Sequence, residues 1–130
     1  MRDTLMVGIG GFFGAMSRSA LSSWVELFTQ RSAFPFGTLA VNVLGCFVVG
    51  FLVQFGEARG FLNTPFRHFA LIGFLGAFTT FSTFTHETMN LFFDGKGVAA
   101  AMNVAANVTV CAGALLAARA LALWADAGAQ

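Results

Sequence analysis

Four long apolar stretches, separated by short polar connections, make up most of the chain. A membrane-spanning helix needs about 20 consecutive residues that are mostly apolar, and each stretch is long enough to supply one. The connections are brief and rich in glycine and charged residues, which is typical of turns between antiparallel neighbouring helices. The pattern predicts an all-α integral membrane protein, one domain over residues 1–130 with four transmembrane helices at about residues 5–28, 36–55, 69–93 and 98–124.

The composition agrees with a membrane environment and narrows the classes of function. Of the 130 residues, 57% are hydrophobic and 10% are charged, whereas a soluble domain carries about a quarter charged residues. The net charge is +1, so no basic surface for a nucleic acid is expected. Cys46 and Cys111 lie in apolar runs and form no metal-binding or disulfide motif, so they are predicted to be free thiols that act as small packing residues.

The positive charges give only a weak preference for one orientation in the membrane. Four of them fall on the side predicted to hold both termini and the middle connection, and two fall on the opposite side: Arg2, Arg59, Arg67 and Arg119 against Arg31 and Lys96. Cytoplasmic loops normally carry the excess of Lys and Arg. With so small a difference the chain can insert in either direction, which permits an antiparallel homodimer.

The third apolar stretch contains a dense polar cluster at residues 79–88 (TTFSTFTHET), with six hydroxyl side chains. Polar groups in a bilayer are costly unless they have partners, so such a cluster indicates function. On one continuous helix it would form an aromatic face and a hydroxyl face: Phe81, Phe84, Thr85 and Thr88 against Thr79, Ser82, Thr83 and His86. Hydroxyl hydrogens and the positive edges of Phe rings can both replace water around a small anion. Alternatively, the hydroxyls bond to carbonyl oxygens one turn back.

Two glycines, Gly73 and Gly76, stand just before this cluster and weaken the helix there. A break in a membrane helix exposes backbone amides and carbonyls, which protein, water or an ion must satisfy. The pattern predicts that the third helix is broken near the midplane of the membrane. The alternative is that both glycines only allow the helices to pack closely.

Further polar residues fall inside the other predicted spans. Asn42 can donate to an anion or bond to another helix, whereas Asn103 and Asn107, one turn apart, favour hydrogen bonds between helices. Arg18 keeps its charge when buried, so a wet vestibule is favoured for it over a salt bridge with Glu87. No hydrolase or phosphate-binding motif is present, so the chain is not expected to be an enzyme.

Several of these motifs together resemble the Fluc (CrcB) family of fluoride ion channels over nearly the whole chain. The resemblance is carried by GAMSR at residues 14–18, GTLAVN at 37–42 and GFLGAFTTFSTF at 73–84, followed by Glu87. It implies an antiparallel, dual-topology homodimer in the bacterial plasma (inner) membrane, with two pores that are each built from both subunits. The implied function is passive, selective export of fluoride.

The resemblance also implies roles for individual residues. The expected pathway residues are Phe81, Phe84 and Asn42 in the pore, Ser82 and Thr85 along a hydroxyl track, Thr38 and Arg18 in the vestibule, Glu87 near the pore end and Asn107 on the fourth helix. The ring edges of Phe81 and Phe84 are expected to meet fluoride. The backbone carbonyls of Gly76 and Thr79 from both subunits are expected to hold a structural sodium ion at the dimer centre.

Two other functions are possible for a small membrane protein of this kind. A dual-topology four-helix exporter of cationic compounds would need a carboxylate within the membrane, preferably in the first helix, where this chain has Arg18. An accessory subunit of a larger complex would need apolar packing faces but not six clustered hydroxyls. Both fit the residues less well than a fluoride channel.

Overall fold

In a computed structural model, which describes residues 1–30 and 32–128, the chain is built from helices joined by short connections. In chain order these are α1 (Arg2–Thr29), α2 (Phe36–Arg59), α3 (Thr64–Arg67), a π-helical segment (His68–Leu75), α4 (Gly76–Phe78), α5 (Phe81–Phe93) and α6 (Gly97–Ala127). The α3 helix, the π-helical segment and α4 follow one another without interruption. Arg31, counted among the positive charges above, lies outside the described residues.

The prediction of an all-helical membrane protein is confirmed for the described part of the chain. Three helical stretches are long and apolar enough to cross a membrane: Phe36–Arg59, Thr64–Phe93 and Gly97–Ala127. They contain the predicted second, third and fourth spans and extend beyond them by a few residues. The 28 residues of α1 are also sufficient in length, but Arg18 and the serines around it make this helix more polar than the others.

The helix ends follow local sequence signals. Pro35 precedes the first residue of α2, and that helix ends at Gly60, whose φ of 67° is left-handed. Gly95, with φ 76°, forms the turn between α5 and α6. There the Lys96 amide donates to the Leu91 carbonyl at 2.8 Å, which closes the end of α5.

The helices pack largely through small residues, and many of their large apolar side chains are exposed. Val41 and Asn103 are the largest fully buried side chains, and most other buried apolar residues are alanines. Large residues such as Phe12 and Phe93 are 62% and 75% exposed. Membrane helices associate through small residues, while their apolar exterior faces lipid, so this distribution fits a bilayer.

The closest approach between helices joins α1 to the π-helical segment at Gly10, Gly14 and Gly73. A Cβ atom at Gly73 would come within 2.6 Å of the Val7 carbonyl oxygen, and Cβ atoms at the other two would overlap backbone of the π-helical segment. For Gly73 the structure therefore supports the close-packing interpretation. Around Gly76 the nearest atom to an added Cβ is the Leu71 carbonyl oxygen at 3.8 Å, so packing within the chain does not require that glycine.

The third span is broken, as predicted, and the break falls at Thr79 and Thr80. Both residues are extended, with φ/ψ of −79°/156° and −147°/118°. The glycines themselves remain helical, since Gly73 lies in the π-helical segment and Gly76 has φ −63° and ψ −36°. The assignment of Thr79 to the hydroxyl face of a helix is therefore wrong, because Thr79 lies in the break; the two faces apply only from Phe81 onward.

Candidate functional site

Asn42 holds the broken backbone at Thr80. Its side-chain oxygen accepts the Thr80 amide hydrogen bond at 2.9 Å, and its Nδ2 donates to the Thr80 carbonyl at 3.2 Å. An amide side chain therefore replaces the hydrogen bonds that a continuous helix would give this residue. On the other side of the break, the Thr80 hydroxyl accepts the Thr83 amide at 3.2 Å and caps the start of α5.

These two replacement hydrogen bonds leave the carbonyl oxygens of Gly76 and Thr79 without the amide donors of a continuous helix. In a continuous helix the amides of Thr80 and Thr83 would donate to them, but those amides donate to Asn42 and to the Thr80 hydroxyl instead. Backbone carbonyl oxygens are suitable ligands for a hard cation. The helical half before the break also carries partial negative charge at its C-terminal end, next to these carbonyls. The two residues expected to hold sodium thus fit that ion chemically.

A chain of asparagines extends from Asn42 into α6. The second Nδ2 hydrogen of Asn42 donates to Asn107 Oδ1 at 3.0 Å, and Asn107 donates to Asn103 Oδ1 at 3.0 Å. Asn103 is fully buried and donates to the Thr88 hydroxyl on α5 at 2.8 Å. For all three asparagines the structure supports hydrogen bonding between helices, and both amide hydrogens of Asn42 are used within the chain.

Most of the six clustered hydroxyls donate hydrogen bonds within the chain. Three follow the alternative interpretation, because they donate to carbonyls one turn back at 2.7–3.0 Å: Thr79, Thr85 and Thr88. A hydroxyl has a single hydrogen to donate, so that of Thr85 is engaged here. The Thr80 hydroxyl donates to Thr83 at 2.9 Å. Ser82 is exposed, and its oxygen lies 3.5 Å from that of Thr80.

The two expected pore rings stand together at the start of α5. The ring centroids of Phe81 and Phe84 are 5.6 Å apart with planes inclined at 51°. Both rings line a cavity of about 340 Å³, together with Asn42, Asn107 and Thr80. The cavity opens at the surface of the chain, where Phe81 is 79% exposed.

The expected vestibule residues Arg18 and Thr38 line a second cavity, of about 270 Å³, which also contains Thr80 and Thr83. Its other polar lining comes from α1: Ser19, Ser22, Ser23 and Glu26. The salt bridge between Arg18 and Glu87 is not formed. Thr80, at the helix break, lines both cavities.

Glu87 contacts Thr38 instead of the arginine. The Thr38 hydroxyl is buried and donates to Glu87 Oε1 at 2.9 Å. The second carboxylate oxygen, Oε2, is buried without a hydrogen-bond partner among the described residues. Glu87 therefore lies close to the vestibule residues, and one of its oxygens remains open to a further donor.

The structure brings most of the predicted site residues together around the break, with two exceptions. Ser82 and Thr85 lie on the exposed side of α5 and line neither cavity. The sequence interpretation gave no separate role to Thr80, which caps α5 and lines both cavities, or to Thr83, whose amide donates to that cap. Threonine is a preferred N-cap residue, so Thr80 just before the helical run from Phe81 is a helix-start signal that could have identified it.

Comparison with known proteins gives a consistent result. The family model described as "CrcB-like protein, Camphor Resistance (CrcB)" matches residues 5–119. Among proteins named Fluoride-specific ion channel FluC, that of a Nitratiruptor species is 48% identical over 102 residues, which cover 78% of this chain and 77% of the relative. That of Geotalea daltonii is 41% identical over 111 residues, with 85% and 89% coverage, and that of Dehalococcoides mccartyi is 44% identical over 108 residues, with 83% and 82% coverage.

These names describe ion channels rather than enzymes, and none describes an exporter of cationic compounds. The matched region includes the second and third apolar spans, most of the fourth, the helix break and both cavities. The resemblance found in the sequence is therefore confirmed, and the chain belongs to the CrcB-like family of membrane proteins.

Proposed function

We propose that this chain forms a fluoride-selective channel through which F⁻ leaves the cell passively, and that it is not an enzyme. The observation that carries the proposal is the helix break at Thr79 and Thr80 with the rings of Phe81 and Phe84 beside it. It occurs in a chain whose relatives are named fluoride-specific ion channels. The channel works as an antiparallel, dual-topology homodimer with two pores in the bacterial plasma (inner) membrane.

The groups beside the break suit a small dehydrated anion. A selective path must replace the strongly held water of fluoride with donors of its own and still release the ion. Phe81 and Phe84 offer positively polarised ring edges, and Ser82 offers a hydroxyl on the exposed side of the helix. The first turn of α5 adds the partial positive charge of a helix N-terminus.

The two cavities give the ion a route. Arg18 attracts anions into the vestibule cavity, where serine and threonine hydroxyls replace part of their water. The route then passes Thr80 and enters the cavity lined by Phe81 and Phe84. Thr38 and Glu87 lie at the vestibule end of this route.

A second copy of the chain completes the pathway. The ring of Phe81 is 79% exposed, and Gly76 is also at the surface of a single chain. An ion passing beside Phe81 would meet lipid on its other side, which cannot replace its water. A partner chain of opposite orientation covers this face and contributes the second wall, so that each pore contains residues of both subunits.

A sodium ion at the dimer centre fits the freed carbonyls. The carbonyls of Gly76 and Thr79 in each subunit would hold it, because neither receives its helical amide. When bound, sodium supplies positive charge close to the anion path. The paired carbonyls would also hold the two broken helices together.

The α1 helix also crosses the membrane in this arrangement, as the first of four spans. It is 28 residues long, which at about 1.5 Å per residue exceeds the hydrocarbon thickness of a bilayer. Its polar residues Arg18 and Ser22 face the vestibule cavity, while Phe12 and Trp24 are exposed and can face lipid. The weak positive-charge bias is consistent with insertion in both orientations.

Ion efflux from liposomes tests this function. Liposomes that contain the purified protein and are loaded with potassium fluoride should release fluoride when a potassium ionophore lets K⁺ leave as well, since no opposing voltage then builds up. Matched liposomes loaded with potassium chloride should retain chloride. Protein-free liposomes are the control. Equal fluoride and chloride release would contradict a selective channel, and proton-coupled uptake of an organic cation without fluoride flux would favour the exporter.

A further inference from the structure

The two cysteines meet on the wall of the aromatic cavity. Cys46 on α2 and Cys111 on α6 are both half-buried free thiols. They face each other in the register of these two helices, because Asn42 bonds to Asn107 one turn earlier on each helix and Gly50 packs on the Leu115 backbone one turn later. Both line the cavity that contains Phe81 and Phe84. Two thiols 65 positions apart in the sequence thus stand at adjacent helix positions on one cavity wall, and the prediction that each serves only as a small packing residue leaves this pairing unexplained.

Two adjacent thiols offer a specific coordination chemistry. Thiolates bind soft metal ions, whereas amide, hydroxyl and carbonyl oxygens prefer hard ones. The remaining polar side chains of the cavity are Asn42, Asn107, Thr79 and Thr80, none of which competes for a soft ion. Among the described residues there is no group of three or more His, Cys, Asp or Glu side chains that could hold a metal, so coordination here is limited to two ligands.

The charge balance favours a divalent ion with two-fold coordination. Mercury(II) bound linearly to two thiolates forms a neutral complex, and each thiol loses one proton to the solvent as its bond to the metal forms. A neutral complex avoids the large cost of placing a net charge in a low-dielectric environment. No oxidant or reductant is needed.

We propose that Cys46 and Cys111 together form a binding site for a soft, two-coordinate metal cation, for which mercury(II) is the probe, and that the bound metal obstructs the ion path beside Phe81 and Phe84. The metal-binding part stands on the thiol pair alone. The obstruction rests on the proposed channel function, because it requires that ions pass through this cavity.

Metal stoichiometry in the full-length protein tests the binding part. After incubation with mercury(II) chloride and removal of excess metal, the wild-type protein should retain one mercury per chain and lose both thiols to a colorimetric thiol reagent. The single variants Cys46→Ser and Cys111→Ser should bind mercury about 100-fold more weakly, since they lose the benefit of a second tethered ligand. Retention of two mercury ions per chain, or equal affinity in a single variant, would overturn the shared site.

Fluoride efflux before and after mercury treatment tests the obstruction. The flux of each protein is compared with its own value before treatment, and the variant lacking both cysteines, as serine and again as alanine, controls for effects elsewhere. Mercury should reduce wild-type flux by at least about tenfold and leave the cysteine-free variants at their starting values. Stoichiometric binding with unchanged flux would overturn the obstruction, whereas absence of flux in untreated protein would refute the channel and leave the binding result intact.

Discussion

Asn42 provides the polar groups that make a broken membrane helix possible in this fold. Its side chain accepts from the Thr80 amide at 2.9 Å and donates to the Thr80 carbonyl at 3.2 Å. Its second amide hydrogen is donated to Asn107. An unsatisfied buried backbone group costs about 1–3 kcal/mol. The side chain therefore stabilises the break.

Replacing Asn42 should destabilise the protein more than replacing an exposed asparagine. Asn42→Ala leaves the Thr80 amide and carbonyl without their partner, so we expect a loss of about 1–3 kcal/mol and a lower melting temperature in detergent. Asn90→Ala is the matched control, because Asn90 is exposed and its side-chain amide bonds to the neighbouring His86 ring at 3.1 Å rather than to a broken backbone. Equal melting temperatures for the two variants would contradict a supporting role for Asn42.

A polar residue in an apolar run can be recognised from the sequence, but its partner cannot. Asn42 and Thr80 are 38 positions apart, and no local signal connects them. The same holds for Arg18 and Glu87, whose opposite charges suggest a pair, while the structure gives Glu87 the hydroxyl of Thr38. Side-chain partners depend on how helices pack, which a periodic pattern does not specify.

The contact between α1 and the π-helical segment depends on the absence of side chains at the interface. Gly10 and Gly14 on one side and Gly73 on the other bring the two backbones together. Such close approach lets weak Cα–H···O contacts and dispersion act over the whole interface. It also holds the first half of the broken span against the helix that carries Arg18.

An alanine at this interface should separate the two elements. The added Cβ of Gly14→Ala would overlap the Phe74 backbone, so we expect destabilisation of about 1–3 kcal/mol from overpacking and little properly folded protein. Gly8→Ala is the control on the same helix, because an added Cβ there has no neighbour within 4 Å. The measurement is the purified yield and the melting temperature of the two variants. Equal values for both would refute close packing at Gly14.

The break was predictable to within a few residues, but the residues that leave the helix were not. Glycines lower helix stability and therefore indicated an interruption, yet Gly73 is used for packing and both glycines stay helical. The extended residues are Thr79 and Thr80, because Asn42 and the Thr80 hydroxyl supply replacement hydrogen bonds at that point. Long apolar spans follow from local composition, whereas the location of a break depends on distant residues.

A single chain presents its proposed ion path at its own surface, so assembly and ion binding should be coupled. If the Gly76 and Thr79 carbonyls of two subunits share a sodium ion, sodium stabilises the dimer by mass action. We expect a higher melting temperature for the dimer in sodium chloride than in the chloride of a large organic cation at equal ionic strength. Identical melting temperatures in both salts would contradict the shared sodium site.

The most direct measurement is fluoride efflux through variants of the two proposed pore rings. Phe81→Ile and Phe84→Ile keep an apolar side chain but remove the positive ring edge, so each should lower fluoride flux about tenfold or more while the protein still dimerises. Phe92→Ile, on the same helix, is the control, because Phe92 is 60% exposed and lines neither cavity; it should conduct like the wild type. Unchanged flux in both pore variants would show that fluoride does not pass beside these rings.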